Sequence, residues 1–309
     1  MLYESAEDYG AQRSDRKTTK RSAVSGGPLC ALVALAIAAC SRGHAAASSL
    51  EARRIVSLAP STTEALFAIG AGDRVVGRSR FCDYPPQVAA LPIVGSLEPD
   101  LEAVLELRPD LVVGVRGLSS TRLADNIAAR GIPTWFADTE SLEAVEQLLV
   151  GLGRRTGHES DATHLASSLE ARAQTIERAV AGEPRPRVLM VVAITPVVAA
   201  GPNTFVDELL RRAGAINVLI EGSGWPRIGM ERIVELDPDV VLDATIVGTD
   251  NAARIMPSTP GWSSVRAVRE GHILLLRDER VMRAGPRVVD GLALLARSLH
   301  PGAAIAAPP

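Results

Sequence analysis

One stretch of this chain is written twice, and that repeat constrains the fold more than any other feature. Residues 101–112 read Leu-Glu-Ala-Val-Leu-Glu-Leu-Arg-Pro-Asp-Leu-Val, and residues 230–241 read Met-Glu-Arg-Ile-Val-Glu-Leu-Asp-Pro-Asp-Val-Val. Glu102 matches Glu231, Pro109 matches Pro238 and Asp110 matches Asp239, all at one constant offset. A solenoid would repeat every 20–50 residues or so, and this recurrence is far wider and occurs once. It describes two similar lobes, each carrying the same helix–turn–strand unit. A length of 309 residues accommodates two such lobes. A cleft between domains is a common seat for a small ligand.

The first 40 residues read as a targeting segment. A polar leader ends in Arg16, Lys17, Lys20 and Arg21, and an apolar core from Leu29 to Ala39 follows. That core is shorter than the roughly 20 residues a membrane-spanning helix needs, and it suits a signal peptide. It ends Ile37-Ala38-Ala39-Cys40, which resembles a bacterial lipobox with Cys40 as the lipidated residue. Residues 41–52 then read as a flexible tether rich in Ser and Ala. After processing, Cys40 and Cys82 are the cysteines left, so no disulfide is expected within the mature chain. Net charge is -3 with no basic block in the body, which gives nucleic acid no electrostatic foothold.

Along the body, short apolar runs alternate with helical patterns. Ile55–Leu58, Arg74–Gly77, Leu111–Val115 and Pro133–Phe136 are expected strands, and so are Val188–Val192 and Ile273–Leu276. A helix is expected after Pro60, with Ser61 and Glu64 at capping-box spacing and Gly70 as its stop. Further helices are expected over 123–130, from Ser141 to about Leu152, from Asn203 to Gly214, and over 287–299. In the repeat unit, Pro109 is expected to end the helix and Asp83-Tyr84-Pro85-Pro86 to form a rigid turn. Residues 160–181 hold helical spacing without an internal Gly or Pro, with Ala162, Leu165, Leu169 and Ile176 near one face. This helix lies between the two copies and reads as a strut joining the lobes, or else as an ordinary helix of the second lobe. The order argues for an α/β fold with parallel sheets covered on both faces, where ligands meet the carboxyl ends of strands. The expected division is a signal peptide over 1–40, the tether over 41–52, a first lobe over 53–159, the linking helix over 160–183, a second lobe over 184–300 and a tail over 301–309.

Three passages carry a family resemblance. They are Arg54 to Glu64, Cys82-Asp83-Tyr84-Pro85-Pro86 and the unit ending Arg108-Pro109-Asp110. They resemble the iron-chelate and vitamin B12 class of periplasmic substrate-binding proteins, which serve ABC importers. Gly224-Trp225-Pro226 and Arg283-Ala284-Gly285-Pro286-Arg287 are similar to the cobalamin branch. The resemblance covers about residues 53–300. It implies two Rossmann-like lobes with mainly parallel sheets joined by one long rigid helix, the class III architecture. It implies a monomer without enzymatic activity or resident cofactor. Such a protein would sit in the periplasm or on the outer face of a bacterial membrane, held by a lipid anchor.

The resemblance also assigns residues. One glutamate per lobe is expected to dock on arginines of the permease subunits, and here those glutamates are Glu102 and Glu231. Read from the residues alone, both are also acids that a helix N-terminus favours. The family's corrin-flanking aromatics map onto Phe81, Leu97, Val115 and Trp225, of which Phe81 and Trp225 keep aromatic character. Arg283 matches a pocket arginine that would bond ligand amides or carboxylates. Glu279 stands near a family acid, Arg116 flanks the rim, and the helix start at Ser61 faces the cleft. The expected cargo is a corrinoid, with a ferric siderophore or haem as the alternative within the same class. No Gly-x-Ser-x-Gly, Walker A loop or Gly-x-Gly-x-x-Gly after a strand appears, and the five histidines are scattered without metal-ligand spacing. A haem carrier would offer an axial Tyr or His, and past the leader tyrosine occurs at Tyr84 alone.

Overall fold

The computed structural model describes residues 51–96, 98–117, 120–245 and 254–307. The expected signal peptide, Cys40, Leu97 and all but the end of the tether lie outside these residues.

Two sheets organise the chain. The first contains β1 (Ile55–Ser57), β2 (Val75–Arg78), β3 (Leu111–Val115) and β4 (Thr134–Ala137), all parallel, in the order β2-β1-β3-β4. The second contains β5 (Arg187–Ile194), β6 (Val197–Ala199), β7 (Ile216–Asn217), β8 (Val240–Asp243) and β9 (Ile273–Leu275). Its order is β6-β5-β8-β9, with β7 parallel to the start of β5. The path β7-β5-β8-β9 therefore retraces β2-β1-β3-β4, and β6 is an added antiparallel strand against the end of β5. Neither β6 nor β7 stands out in the sequence, because each is too short for a period-2 pattern.

Nine helices of the described residues cover these sheets. They are α1 (Pro60–Ala68), α2 (Leu101–Glu106), α3 (Ser120–Ala128), α4 (Leu142–Thr156), α5 (Glu159–Val180), α6 (Phe205–Arg212), α7 (Met230–Leu236), α8 (Arg266–Arg269) and α9 (Val288–Leu299). Ser141 caps α4 as expected, its hydroxyl accepting from the Ala144 N–H, and Thr204 does the same for α6. The expected Ser61–Glu64 capping box does not form. Pro60 occupies the first turn, Ala59 is the N-cap residue without a side-chain bond, and the Glu64 carboxylate is committed elsewhere. The helix of the first repeat ends at Glu106, before the expected stop at Pro109.

The repeat is a structural duplication down to single hydrogen bonds. Asp110 accepts from the backbone N–H of Arg54 at 2.9 Å, and Asp239 accepts from that of Arg187 at 2.9 Å. In return Asp110 N–H donates to Arg54 O, and Asp239 N–H donates to Arg187 O. The Arg54 guanidinium donates to Leu107 O, and the Arg187 guanidinium to the matching Leu236 O. Arg108 and Asp237, each just before the proline, take φ values of 45° and 40°. A non-glycine residue at positive φ is uncommon, and these arginine–carbonyl bonds hold both turns in it.

Side-chain alternation divides the core. Val56 and Val112 face a cluster with Val104 of α2, whereas Ile55 and Val113 face the opposite side. Likewise Leu189 and Val241 join Ile233 of α7, whereas Val188, Met190 and Leu242 face away. The two remaining faces meet in one continuous cluster through α5, whose Ala162, Leu169, Ala173, Ile176 and Val180 are buried in it. At about 1.5 Å per residue α5 is roughly 33 Å long. It packs on α4, α6 and α9, so one helix braces elements of both lobes. None of the described helices is long and apolar enough to cross a membrane.

Candidate functional site

The carboxyl ends of the parallel strands and the start of α1 open onto a hollow of about 360 Å³. Ala59, Pro60, Ser61, Val115, Thr139 and Glu140 line it from the first lobe. Phe205, Trp225, Glu279, Met282, Arg283 and Ala284 line it from the second. A volume of this order lies in the range of small-molecule sites. A neighbouring hollow of about 650 Å³ shares Ala59 and Val115, and Arg116, Arg122, Glu98 and Phe136 line it. Of the residues expected at the ligand, Ser61, Val115, Trp225, Glu279 and Arg283 therefore meet on one hollow, and Arg116 lies in the adjoining one. Phe81 is 46% exposed and lines neither. Glu102 and Glu231 sit exposed in the first turns of α2 and α7, at matching places in the two copies.

The floor of the cleft is an ion-pair network that joins the lobes. Glu64 of α1 has a side chain only 2% exposed. Arg287 grips it with two bonds, Nε to Oε2 at 2.9 Å and Nη2 to Oε1 at 2.6 Å. Arg283 Nη1 donates to Glu64 Oε1 at 2.8 Å and to Asp83 Oδ1 at 2.7 Å, while its Nη2 donates to Glu279 Oε2 at 2.6 Å. The Arg287 guanidinium lies 3.8 Å from the centre of the Tyr84 ring. Burial alone would raise the Asp83 carboxyl, but the Arg283 hydrogen bond and charge outweigh it and hold that carboxyl below its ordinary value. Burial likewise works against the charge on Arg283, and its bonds to Asp83 and Glu64 overcome that and raise its pKa.

A second tie crosses from the other side. Glu208 of α6 accepts from the Leu142 N–H at the start of α4, so a carboxylate of one lobe caps a helix of the other. Arg212 holds Glu208 at 2.8 Å and reaches Glu170 and Glu177 of α5. Sequence reasoning missed Glu64, Arg287 and Glu208. The usable signals were a lone acid in an otherwise uncharged helix and arginines four residues apart, 283 and 287.

A further hollow of about 750 Å³ lies along α4 and α5 and holds Glu143, Glu146 and Glu170. Burial and the Glu170 charge push the Glu146 carboxyl up. It draws on no residue beyond these two helices and so lacks the two-lobe character of the cleft. His158 bonds Thr156 O and buried His300 bonds Ala213 O, so both serve the backbone. No group of three or more potential metal ligands occurs among the described residues.

Comparisons with known proteins agree on one kind of molecule. A family model described as periplasmic binding protein matches residues 55–279. An uncharacterized ABC transporter substrate-binding lipoprotein of Bacillus subtilis is 32% identical over 260 residues, covering 81% of each chain. A vitamin B12-binding protein of Yersinia pseudotuberculosis is 28% identical over 241 residues, covering 77% of this chain and 83% of its own. A periplasmic heme binding protein from Pseudomonas aeruginosa superposes with a TM-score of 0.71 at 28% identity, covering 84% of this chain and 96% of its own.

Proposed function

The chain belongs to the periplasmic binding protein family, and from that membership we propose that it captures a corrinoid for an ABC importer. Its relatives bind solutes for transport and do not transform them. The observation that carries the reading is a hollow walled by both lobes at the carboxyl ends of the strands. The corrinoid cargo draws support from the vitamin B12-binding relative and from the lining. Trp225, Phe205, Val115 and Met282 offer apolar surface to the face of a flat macrocycle. Glu102 and Glu231 dock one on each permease subunit, Cys40 carries the lipid anchor, and the protein acts as a monomer at the outer face of the membrane.

Haem is the second reading, favoured by the Pseudomonas aeruginosa neighbour. Haem iron takes an axial His, Tyr, Cys or Met from its protein. Among the described residues the hollow offers Met282 but no His or Tyr, and the Tyr84 ring is covered by Arg287. A corrinoid carries its own cobalt ligands and makes no such demand. The test is a titration of the purified protein with cobalamin, cobinamide, haem and a ferric siderophore, followed by absorbance. Corrinoid binding above the others is expected, and a preference for haem or siderophore would overturn the reading. Trp225→Ala should weaken corrinoid binding by about tenfold. Tyr84→Ala should matter less, and equal effects would count against the cleft as the site.

A further inference from the structure

We propose that the cargo meets the floor of this cleft with uncharged hydrogen-bond donors, carboxamides rather than carboxylates, because acids from both lobes outnumber the arginines there. The inference rests on the reading of the cleft as the cargo site. Arg283 is the one arginine among the described residues that line the inter-lobe hollow. Three of its four terminal N–H groups go to Glu64, Asp83 and Glu279 at 2.6–2.8 Å. Behind it, Arg287 is occupied twice by Glu64 and once by Glu279. Three carboxylates thus face two guanidiniums, leaving one negative charge in excess. Glu140, which also lines the hollow, adds another and has no ion pair among the described residues.

A carboxylate arriving here meets a net negative field, because Asp83, Glu279 and Glu64 more than balance the charge of Arg283 and Arg287. That is rejection by an unpaired like charge, the usual way a site excludes a close analogue. A carboxamide N–H₂ or a hydroxyl meets waiting acceptors instead, on Glu140 and Glu279, with the hydroxyls of Ser61 and Thr139 close by. Arg116 and Arg122 line the adjoining hollow and meet a different part of the cargo. The acids that hold this arginine in place therefore set the charge the cargo must lack.

The experiment compares two forms of one macrocycle. One is cobinamide, whose peripheral side chains are carboxamides. The other is the same corrin with those amides hydrolysed to carboxylates. Both are titrated by absorbance at neutral pH. The hydrolysed form should bind at least about tenfold more weakly. Asp83→Asn removes the more exposed acid from Arg283 and should narrow that gap by about threefold or more, and Glu140→Gln, on an exposed side chain, should narrow it too. Melting curves show that each variant is folded. If the native protein binds the hydrolysed form as tightly as cobinamide, the inference is overturned and the corrinoid reading stands. If it binds neither, the corrinoid reading falls and the inference with it. A gap unchanged in both variants would overturn the role given to the excess acids.

Discussion

The two lobes share a frame and differ at the surface where they meet. In each, an arginine and an aspartate lock the first strand to the repeat's strand: Arg54 with Asp110, and Arg187 with Asp239. In each, the turn before Pro109 or Pro238 takes the same unusual backbone. The second copy is reinforced further, since Arg266 bridges Asp237 and Asp239 at 2.9 Å. At the seam the likeness ends. The first lobe supplies acids alone, Glu64 and Asp83, whereas the second supplies Arg283 and Arg287 with one acid, Glu279. A duplicated frame thus carries a directional cleft through a few charged residues.

The comparison can be broken at several strengths. The largest effect is expected on transport, where Glu102 and Glu231 stand at equivalent places on their lobes. Replacing both with Ala should abolish uptake in cells and leave corrinoid affinity within about twofold. Loss of affinity in that variant would refute a docking role.

Next comes the seam. Glu64→Ala removes the buried carboxylate that two arginines share and should cost about 3–5 kcal/mol in urea unfolding. A loss below about 1 kcal/mol would show that this network adds little to what α5 and the Glu208–Leu142 tie already hold. The frame is expected to be less sensitive. Asp110→Ala and Asp239→Ala each remove a partly exposed acceptor of backbone N–H groups, and each should cost about 1 kcal/mol. A clear inequality in favour of Asp239 would measure what Arg266 adds.

The smallest effect is in the acid limb. Hydrogen bonds from the Arg187 backbone and from Arg266 hold the Asp239 carboxyl below its ordinary 3.8. Asp83 is lowered as well, against its burial, by Arg283. A carboxylate depressed on folding stabilises the protein above its unfolded value, and that contribution is lost as pH falls through the folded one. Stability should therefore drop below about pH 4, and Asp239→Asn or Asp83→Asn should flatten the drop. An unchanged slope would assign acid sensitivity to other groups.

Much of this molecule is readable residue by residue. The repeat, the order of strands and helices, the cap at Ser141 and the long helix α5 follow from local spacing, since periods of 2 and 3.6 record which face is buried. The family passages point to the cleft, and five of the residues they mark meet on one hollow. Glu64 shows where such reading stops. Its spacing from Ser61 suggests a capping box, yet Pro60 starts the helix and the carboxylate turns to partners more than 200 residues away. Arg283 is equally instructive, because its type suits a ligand contact while three of its four terminal N–H groups are given to the protein's own acids.

Sequence alone determined the duplicated α/β frame, because hydrogen-bonded turns, caps and amphipathic faces arise between residues a few positions apart. Only the tertiary structure decided how the lobes are tied and what charge the cleft presents. Those depend on pairs such as Glu64 with Arg287 and Leu142 with Glu208, brought together by folding and unmarked by any local pattern.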